Sequence, residues 1–179
     1  MQRVKQGDPE AFEPIIERFQ QRIYRYCFFM LGNRQEAEDA VQDIFFKAYR
    51  LLGSYREQRT FSAWLYKIAA NHCNTLLSKR ARARLFSFLH PNETHAASAE
   101  QDYLDSEGTR WDWLREIPAQ DRTLLVLRVI DGHSFEEIGR MLGTKPATLR
   151  KRFERLKAKL NGKPEMREAL LHERRIELQ

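Results

Sequence analysis

Large apolar residues recur every three or four positions along most of this chain, which is the period of an amphipathic α-helix. The first run follows the helix-start signal Asp8-Pro9 and stops at Gly32. Its apolar members share one face of the helix and are Phe12, Ile15, Ile16, Phe19, Ile23, Cys27 and Met30. Because the same period returns in the later apolar segments, the fold class is predicted to be all-α.

Two further helices are predicted before residue 90. Asn33 with Glu36 three positions later resembles a capping box, and the helix that it opens is expected to end at Gly53. Its apolar stripe is Ala37, Ala40, Val41, Ile44, Ala48 and Leu51. The third helix follows the polar turn 54–60 and directs inward Phe61, Trp64, Leu65, Ile68 and Ala69. At about 100° per residue its outer face is expected to carry Tyr66, Lys67, Ala70 and Asn74, with Asn71 at the margin.

Two surfaces of this first module have distinctive chemistry. The second helix places together three polar residues and one aromatic residue, namely Asp39, Gln42, Asp43 and Phe46. Such a patch is usually a solvated face. The third helix ends in a basic cluster, Lys79, Arg80, Arg82 and Arg84. This cluster could follow a phosphate backbone or could simply be a solvated helix end.

Residues 90–110 interrupt the helical pattern. They carry one basic and five acidic side chains and almost no large apolar residues, so they cannot bury enough surface to fold alone. The segments on either side are basic, and the whole chain has 31 Lys and Arg against 25 Asp and Glu. Two small helical domains joined by a flexible acidic linker are therefore predicted, and the net charge of +6 suggests an anionic partner such as nucleic acid. The expected boundaries are 1–89, 90–110 and 111–162, with a helical tail at 163–179.

The second module has the spacing of a helix-turn-helix. A helix follows Pro118 and ends at Asp131-Gly132, and Ser134 with Glu137 then forms a capping box for a short helix. Gly143 ends that short helix, and Pro146 opens a longer one. A short helix, a turn with glycine and a long helix are the parts of a DNA-binding helix-turn-helix.

The long helix separates an apolar face from a cationic one. Its core positions are Leu149, Phe153, Leu156 and Leu160. A face about 100° away carries Thr148, Lys151, Arg152, Arg155 and Lys159, with Arg150 on a flank. Such a helix could merely be soluble, but with the capped helix and turn before it the pattern favours binding in the DNA major groove. Glu154 is expected to pair with a neighbouring arginine.

Four segments together resemble a known family. Residues 7–12, 37–49 and 61–71 look like domain two of the extracytoplasmic-function sigma factors, and residues 117–160 look like their domain four. The resemblance implies a bacterial transcription initiation factor, without enzymatic activity or cofactor, that gives RNA polymerase its promoter preference. It further implies an anti-sigma partner that would inhibit the protein and could hold it at the membrane.

The resemblance also gives roles to particular residues. It implies that Asp39, Gln42, Asp43 and Phe46 bind the coiled coil of the largest subunit of core RNA polymerase. Single-stranded −10 DNA would meet the turn 54–60 and Phe61, Trp64, Lys67, Asn71, Asn74, Lys79 and Arg80. Duplex −35 DNA would meet Thr148, Arg150, Lys151, Arg152, Arg155 and Lys159. Domain four would in addition contact the flap of the second-largest polymerase subunit.

Two other classes of protein were considered. A metal-dependent helical enzyme would have to use Cys27, His72, Cys73 and His133, but their spacing is not that of a zinc site. A promoter-specific activator or repressor could share the helix-turn-helix, and binding to polymerase would distinguish the two. The two cysteines, the short apolar runs and an N-terminus without a signal-type stretch are consistent with a cytoplasmic protein. The resemblance to sigma factors implies that there is no small-molecule substrate.

Overall fold

The structure is a computed structural model of the 179-residue chain, and it describes residues 10–55, 60–89 and 112–160. All regular elements in these ranges are helical, as predicted. The predicted helix-start signal Asp8-Pro9, the turn residues 56–59, the acidic linker and the tail 163–179 lie outside the described residues.

The first part of the chain forms three helices. A 3₁₀ turn at Glu10–Phe12 leads into α1, Glu13–Leu31, which is followed by α2, Arg34–Leu51, and α3, Phe61–Leu89. Gly32 ends α1 in the left-handed conformation with φ 71°, and the Asn33 side chain accepts a hydrogen bond from the Glu36 amide at 2.9 Å. Both terminus signals predicted from the sequence are therefore confirmed.

Close packing of α1, α2 and α3 buries most of the predicted stripes. Ile23, Cys27 and Met30 of α1 are fully buried, as are Ile44 of α2 and Leu65 of α3. Two details of the α2 prediction were wrong. Leu51 is 48% exposed, and the α-helix ends there, two residues before Gly53, because the chain tightens into a 3₁₀ turn at Leu52–Ser54.

The second part of the chain forms the predicted helix-turn-helix. After a 3₁₀ turn at Asp112–Glu116, α4 spans Ala119–Leu125 and continues as one π-helical turn, Val126–Ile130. The capping box opens α5, Phe135–Leu142, with the Glu137 amide donating to Ser134 Oγ at 3.2 Å and the Ser134 amide to Glu137 Oε2 at 2.8 Å. The last helix, α6, is Pro146–Leu160.

Gly143 and Gly139 make the turn between α5 and α6 possible. Gly143 ends α5 with φ 67°, a conformation that glycine adopts without steric cost. At Gly139 a Cβ atom would lie 2.7 Å from the Thr144 carbonyl oxygen, so only glycine allows the turn to fold back this closely. The angle between the two helices therefore depends on these two positions.

The two parts of the chain pack against each other, which corrects one prediction. Tyr66 and Ala70 of α3 were expected on an outer face, yet they are 1% and 3% exposed. Tyr66 donates a hydrogen bond to Asp131 Oδ2 at 3.1 Å, and its ring meets the His133 ring edge-on with centroids 5.1 Å apart. The helical period correctly placed Tyr66 and Ala70 on the same face of α3. That face is removed from solvent only because α5 and the loop before it pack against α3.

Two arginines of the second part hold the carboxyl end of α1. Arg122 is 5% exposed and donates to the carbonyl oxygens of Met30, Arg115 and Ile117. Arg115 donates to the Gly32 carbonyl oxygen. The last carbonyls of a helix have no partner within it, so these arginines satisfy groups that α1 alone leaves unpaired.

Candidate nucleic-acid and partner-binding surfaces

Helix α6, which carries the residues predicted to bind duplex DNA, is fixed by its apolar face. Leu149, Phe153, Leu156 and Leu160 are all at most 5% exposed, as predicted. The Phe153 ring packs edge-on against Phe135 of α5 with centroids 5.7 Å apart. Because the rest of the module holds this apolar face, the orientation of α6 relative to α5 is fixed and its opposite face points to solvent. Insertion of a helix into the DNA major groove requires such an arrangement.

Four of the six side chains predicted to read duplex DNA lie together in solvent. They are Thr148, Lys151, Arg155 and Lys159, and all are exposed. The neighbouring Glu154 does not pair with an arginine as expected; it pairs instead with Lys157, whose Nζ lies 2.8 Å from Glu154 Oε1. The single carboxylate on this helix is therefore directed along the chain to a lysine one turn away.

The other two arginines of the predicted set are held by acids within the module. Arg150 forms an ion pair with Glu136, and its guanidinium lies 5.6 Å from the centroid of Phe135. Arg152 Nε lies 2.5 Å from Asp121 Oδ1. Sequence reasoning missed both acids, because they lie 14 and 31 residues away in the chain. These pairs restrict where each guanidinium points before any ligand arrives.

Three aromatic rings form a compact cluster at the start of α3. Tyr55, Phe61 and Trp64 have centroid separations of 5.3 to 5.6 Å, and Tyr55 is itself buried. Phe61 and Trp64 are half-buried, so each remains partly accessible to solvent. Tyr55 was not singled out from the sequence, although its position in the turn beside two predicted aromatics was a usable signal.

The polar residues predicted for single-stranded DNA divide between two sides of α3. Lys67, Asn71 and Lys79 are exposed, and Asn74 is half-buried, with no hydrogen-bond partner for its Oδ1 atom among the described residues. Arg80, nine residues after Asn71, faces about 180° away from it. There it forms an ion pair with Glu36 and donates to the Leu31 carbonyl oxygen. Lys67, Asn71, Asn74 and Lys79 therefore lie toward one side of α3. Arg80 lies on the opposite side.

The predicted polymerase-binding residues of α2 lie beside an apolar groove. Asp39, Gln42, Asp43 and Phe46 are exposed, Phe46 to 62%. A cavity of about 380 Å³ opens between α1 and α2 next to them, with Ile16, Val41, Phe45 and Tyr49 among its lining residues. Sequence reasoning found the polar face but missed the groove, which forms only when two helices pack side by side.

His72 lies behind the acidic face and contacts both a lysine and an aspartate of α2. Its Nδ1 atom lies 2.5 Å from Lys47 Nζ, and its Nε2 atom lies 3.5 Å from Asp43 Oδ2. Burial, and next the charge of Lys47, lowers the pKa of His72. The lowered pKa favours the neutral imidazole, so His72 adds little positive charge to the acidic face.

The residues weighed for a metal site point to different neighbours. Cys73 Sγ lies 3.8 Å from Cys27 Sγ in the core, whereas His72 faces α2 and His133 contacts Tyr66. Across residues 10–55, 60–89 and 112–160, no three His, Cys, Asp or Glu side chains are grouped to hold a metal. Within the same ranges no helix combines the length and apolarity needed to span a bilayer.

Comparison with known proteins matches both parts of the chain to one family. The profile for Sigma-70 region 2 matches residues 15–83, and that for Sigma-70, region 4 matches residues 112–160. The ECF RNA polymerase sigma factor SigW of Bacillus subtilis is 32% identical, over 87% of this chain and 89% of that protein. The RNA polymerase sigma-H factor of Pseudomonas aeruginosa is 31% identical, over 94% of this chain and 95% of its own length.

The fold has solved counterparts as well. CnrH, in a complex with the cytosolic domain of CnrY, superposes with a TM-score of 0.67 at 25% identity, covering 88% of this chain and 90% of CnrH. RpoE of Bartonella quintana, crystallised with the anti-sigma factor NepR, has a TM-score of 0.66 at 22% identity. Its likeness extends over 90% of this chain and 97% of RpoE. Because both region profiles match and relatives above 30% identity are covered over most of their length, the chain belongs to the extracytoplasmic-function sigma factors of the sigma-70 family.

Proposed function

We propose that this sigma factor binds core RNA polymerase, directs it to promoters that carry a −10 and a −35 element, and performs no reaction of its own. The observation that carries the proposal is the exposed cationic face of α6, held rigidly by a capped helix-turn-helix. An α-helix fits the major groove when its domain holds one side and long hydrogen-bond donors extend from the other. Lys151 and Arg155 are such donors.

The two tethered arginines have a separate role in duplex binding. Arg150 and Arg152 already have carboxylate partners, so contact with DNA requires them to exchange those partners or to share them. We assign them to phosphate contacts, which position the protein on the duplex, and assign base reading to Lys151 and Arg155. An arginine that makes two hydrogen bonds to guanine discriminates by about 1–3 kcal/mol.

The −10 element is read as a single strand by the start of α3. Unpaired bases gain about 1–3 kcal/mol each by stacking on aromatic side chains, and Phe61 and Trp64 are partly exposed for this purpose. Asn71, Lys67 and Lys79 supply amide and ammonium donors along the same helix. The Asn74 Oδ1 atom is enclosed and has no partner among the described residues, so a contact with a base edge requires the side chain to turn outward. A contact from Arg80 would require its ion pair with Glu36 to break.

Core polymerase binds the face of α2 that combines acids with an aromatic. Asp39 and Asp43 provide charge, and Phe46 stands beside the apolar groove, so a basic helical partner with an apolar ridge fits both features. By the family resemblance this partner is the coiled coil of the largest subunit, and the second module meets the flap of the second-largest subunit.

Regulation by an anti-sigma factor is part of the proposal. The solved CnrH structure contains the cytosolic domain of a second protein on a fold like this one. We infer that a cognate anti-sigma protein holds this chain inactive in the cytoplasm, or at the membrane when that protein is itself anchored there.

Run-off transcription with purified core polymerase tests the proposal. Initiation without any other specificity subunit is expected from the sigma factor, whereas an activator or repressor would bind duplex DNA but leave core polymerase inactive. Asp39→Lys with Asp43→Lys should abolish association with core. The control is Glu13→Lys with Glu17→Lys, which makes the same change of charge at exposed positions of α1. Core binding by the first double variant at the level of the control would remove the docking assignment.

A matched pair of arginine variants tests promoter reading. Arg155→Ala should reduce initiation about 5- to 150-fold on promoters that depend on a −35 element, since a lost base contact costs about 1–3 kcal/mol. Arg18→Ala removes an exposed arginine of α1 and should leave initiation unchanged. Equal losses on promoters with and without a −35 element would contradict base reading by Arg155.

A further inference from the structure

The last turns of α3 carry a concentration of exposed apolar side chains. Among the residues that the structure describes, six large apolar side chains are exposed, and four of them lie in the last five residues of this helix. They are Leu85, Phe86, Phe88 and Leu89, with exposed fractions of 52% to 83%. Clustered exposed apolar side chains on a folded protein mark a site for another protein or for a lipid surface. The proposed function assigns no role to this cluster.

Three of these side chains share one face of α3. At about 100° per residue, Leu85, Phe86 and Leu89 lie within an arc of about 100° around the helix axis. Arg84, on the side of α3 opposite Phe86, lines a cavity between α3 and the second part of the chain. The arc therefore points away from the second part. All of residues 81–89 are exposed, so the described elements leave a large part of this face in solvent.

Cations stand behind the apolar side chains on the same face. Arg82 lies within the arc, one turn before Phe86, and Lys79 lies about 20° beyond its edge. Both are exposed, and residues 79–89 contain no acidic side chain. Interfacial helices combine apolar side chains that enter the acyl boundary of a bilayer with Lys and Arg that extend to the anionic headgroups. The face is therefore complementary to an anionic lipid surface in both polarity and charge.

Shape and charge favour a lipid surface over other partners. Two copies of this chain meeting through this face would bring Lys79 and Arg82 of each copy close together, and like charges repel. A helical peptide docks in a groove, whereas this face stands on one exposed helix end. Single-stranded DNA stacks on aromatic rings, but half of the apolar cluster is leucine, which cannot stack with bases.

We propose that this face, here named the α3 tip, docks reversibly on an anionic phospholipid surface. The α3 tip consists of Lys79, Arg82, Leu85, Phe86 and Leu89. Its apolar members enter the boundary between headgroups and acyl chains, and its two cations are attracted by the negative surface potential. Only a short helix end is inserted, so binding is weak and decreases as salt screens the charges. This inference goes beyond the proposed function and does not depend on it.

The test is co-flotation of the full chain with vesicles made of equal parts of phosphatidylglycerol and phosphatidylcholine. Binding to these vesicles is expected to be at least tenfold stronger than binding to vesicles of phosphatidylcholine alone, because two cations contribute. Leu85→Ser with Leu89→Ser should weaken binding to the anionic vesicles at least tenfold, since both side chains lose apolar area that leaves water. The control is Leu51→Ser, which makes the same change at an exposed position of α2 and should bind as wild type.

A second pair of variants tests the charge separately. Arg82→Gln should weaken binding to the anionic vesicles about fivefold, which is the effect of one cation near such a surface. Arg18→Gln removes an exposed arginine of α1 and should have no effect on binding. Equal losses from these two variants would show that the net charge of the protein, rather than the α3 tip, attracts it to lipid.

Three other results would overturn the inference. The first is absence of co-flotation with the anionic vesicles at low salt. The second is dimerisation of the wild type in sedimentation that the double leucine variant abolishes, because the α3 tip would then bind a second copy. The third is binding of a single-stranded oligonucleotide that falls by the same factor as vesicle binding in the double leucine variant, because the α3 tip would then belong to the DNA surface.

Discussion

Removal of the Asp131 carboxylate should weaken the contact between the two parts of the chain. Asp131 has a side chain that is 1% exposed, and it accepts hydrogen bonds from Arg25 Nε at 2.9 Å and from the Tyr66 hydroxyl at 3.1 Å. In Asp131→Ala the buried Tyr66 hydroxyl loses its partner, which costs about 1–3 kcal/mol. The Arg25 side chain is 48% exposed and can be rehydrated, so its loss adds about 0–1 kcal/mol.

The expected net loss is therefore about 2 kcal/mol, because part of the cost is offset when a buried charge is removed. Burial raises the pKa of Asp131 more than the charge of Arg25 and its hydrogen bonds lower it, so the charged carboxylate is less favourable here than in water. For a chain of this length, about 2 kcal/mol corresponds to a fall of about 4–8 °C in melting temperature.

Two variants separate the hydrogen bond from the charge. Asp131→Asn keeps an oxygen that can accept from Tyr66 and removes the charge, so its loss should stay below about 1 kcal/mol. Glu38→Ala breaks a pair of exposed side chains, Arg34 and Glu38 at 3.6 Å, and should have almost no effect. Calorimetry of the three variants makes the comparison. Equal losses from Asp131→Ala and Asp131→Asn would refute the argument that the Tyr66 hydrogen bond dominates.

Two further outcomes follow from local contacts. Ser134→Ala should lower the free energy of unfolding by about 1 kcal/mol, since it removes the acceptor of the Glu137 amide at the start of α5. An unchanged denaturant midpoint in chemical unfolding would contradict this prediction. Burial lowers the pKa values of His72 and His133, so the unfolded chain takes up protons first as the pH falls below about 6.5, and stability should drop between pH 7 and pH 5.5. His133 faces Asp131, Glu137, Arg22, Arg25 and Tyr66, and His133→Gln should reduce the pH dependence of the melting temperature; an unchanged dependence would contradict this assignment.

Local signals in the sequence were sufficient for the helices and for the recognition module. The caps at Asn33 and Ser134, the glycines that end α1 and α5, and Pro146 at the start of α6 each act within four residues of their partners, so their geometry can be read from spacing alone. The apolar face of α6 and the exposed positions of its cations follow from the 3.6-residue period in the same way.

Only the tertiary structure decided which polar groups meet across the chain. The helical period places Tyr66 on an outer face, but the loop at Asp131, 65 residues away, buries it. Arg122 is a residue type usually found at the surface, but here it donates to a carbonyl at the end of α1. Arg152 has a position on α6 that predicts a contact with DNA, but in the structure it forms an ion pair with Asp121. The helical period specifies the direction in which a side chain leaves the helix axis. Whether that side chain is buried or ion-paired depends on the element that packs against it. Packing between elements distant in sequence determines this, and no local pattern contains that information.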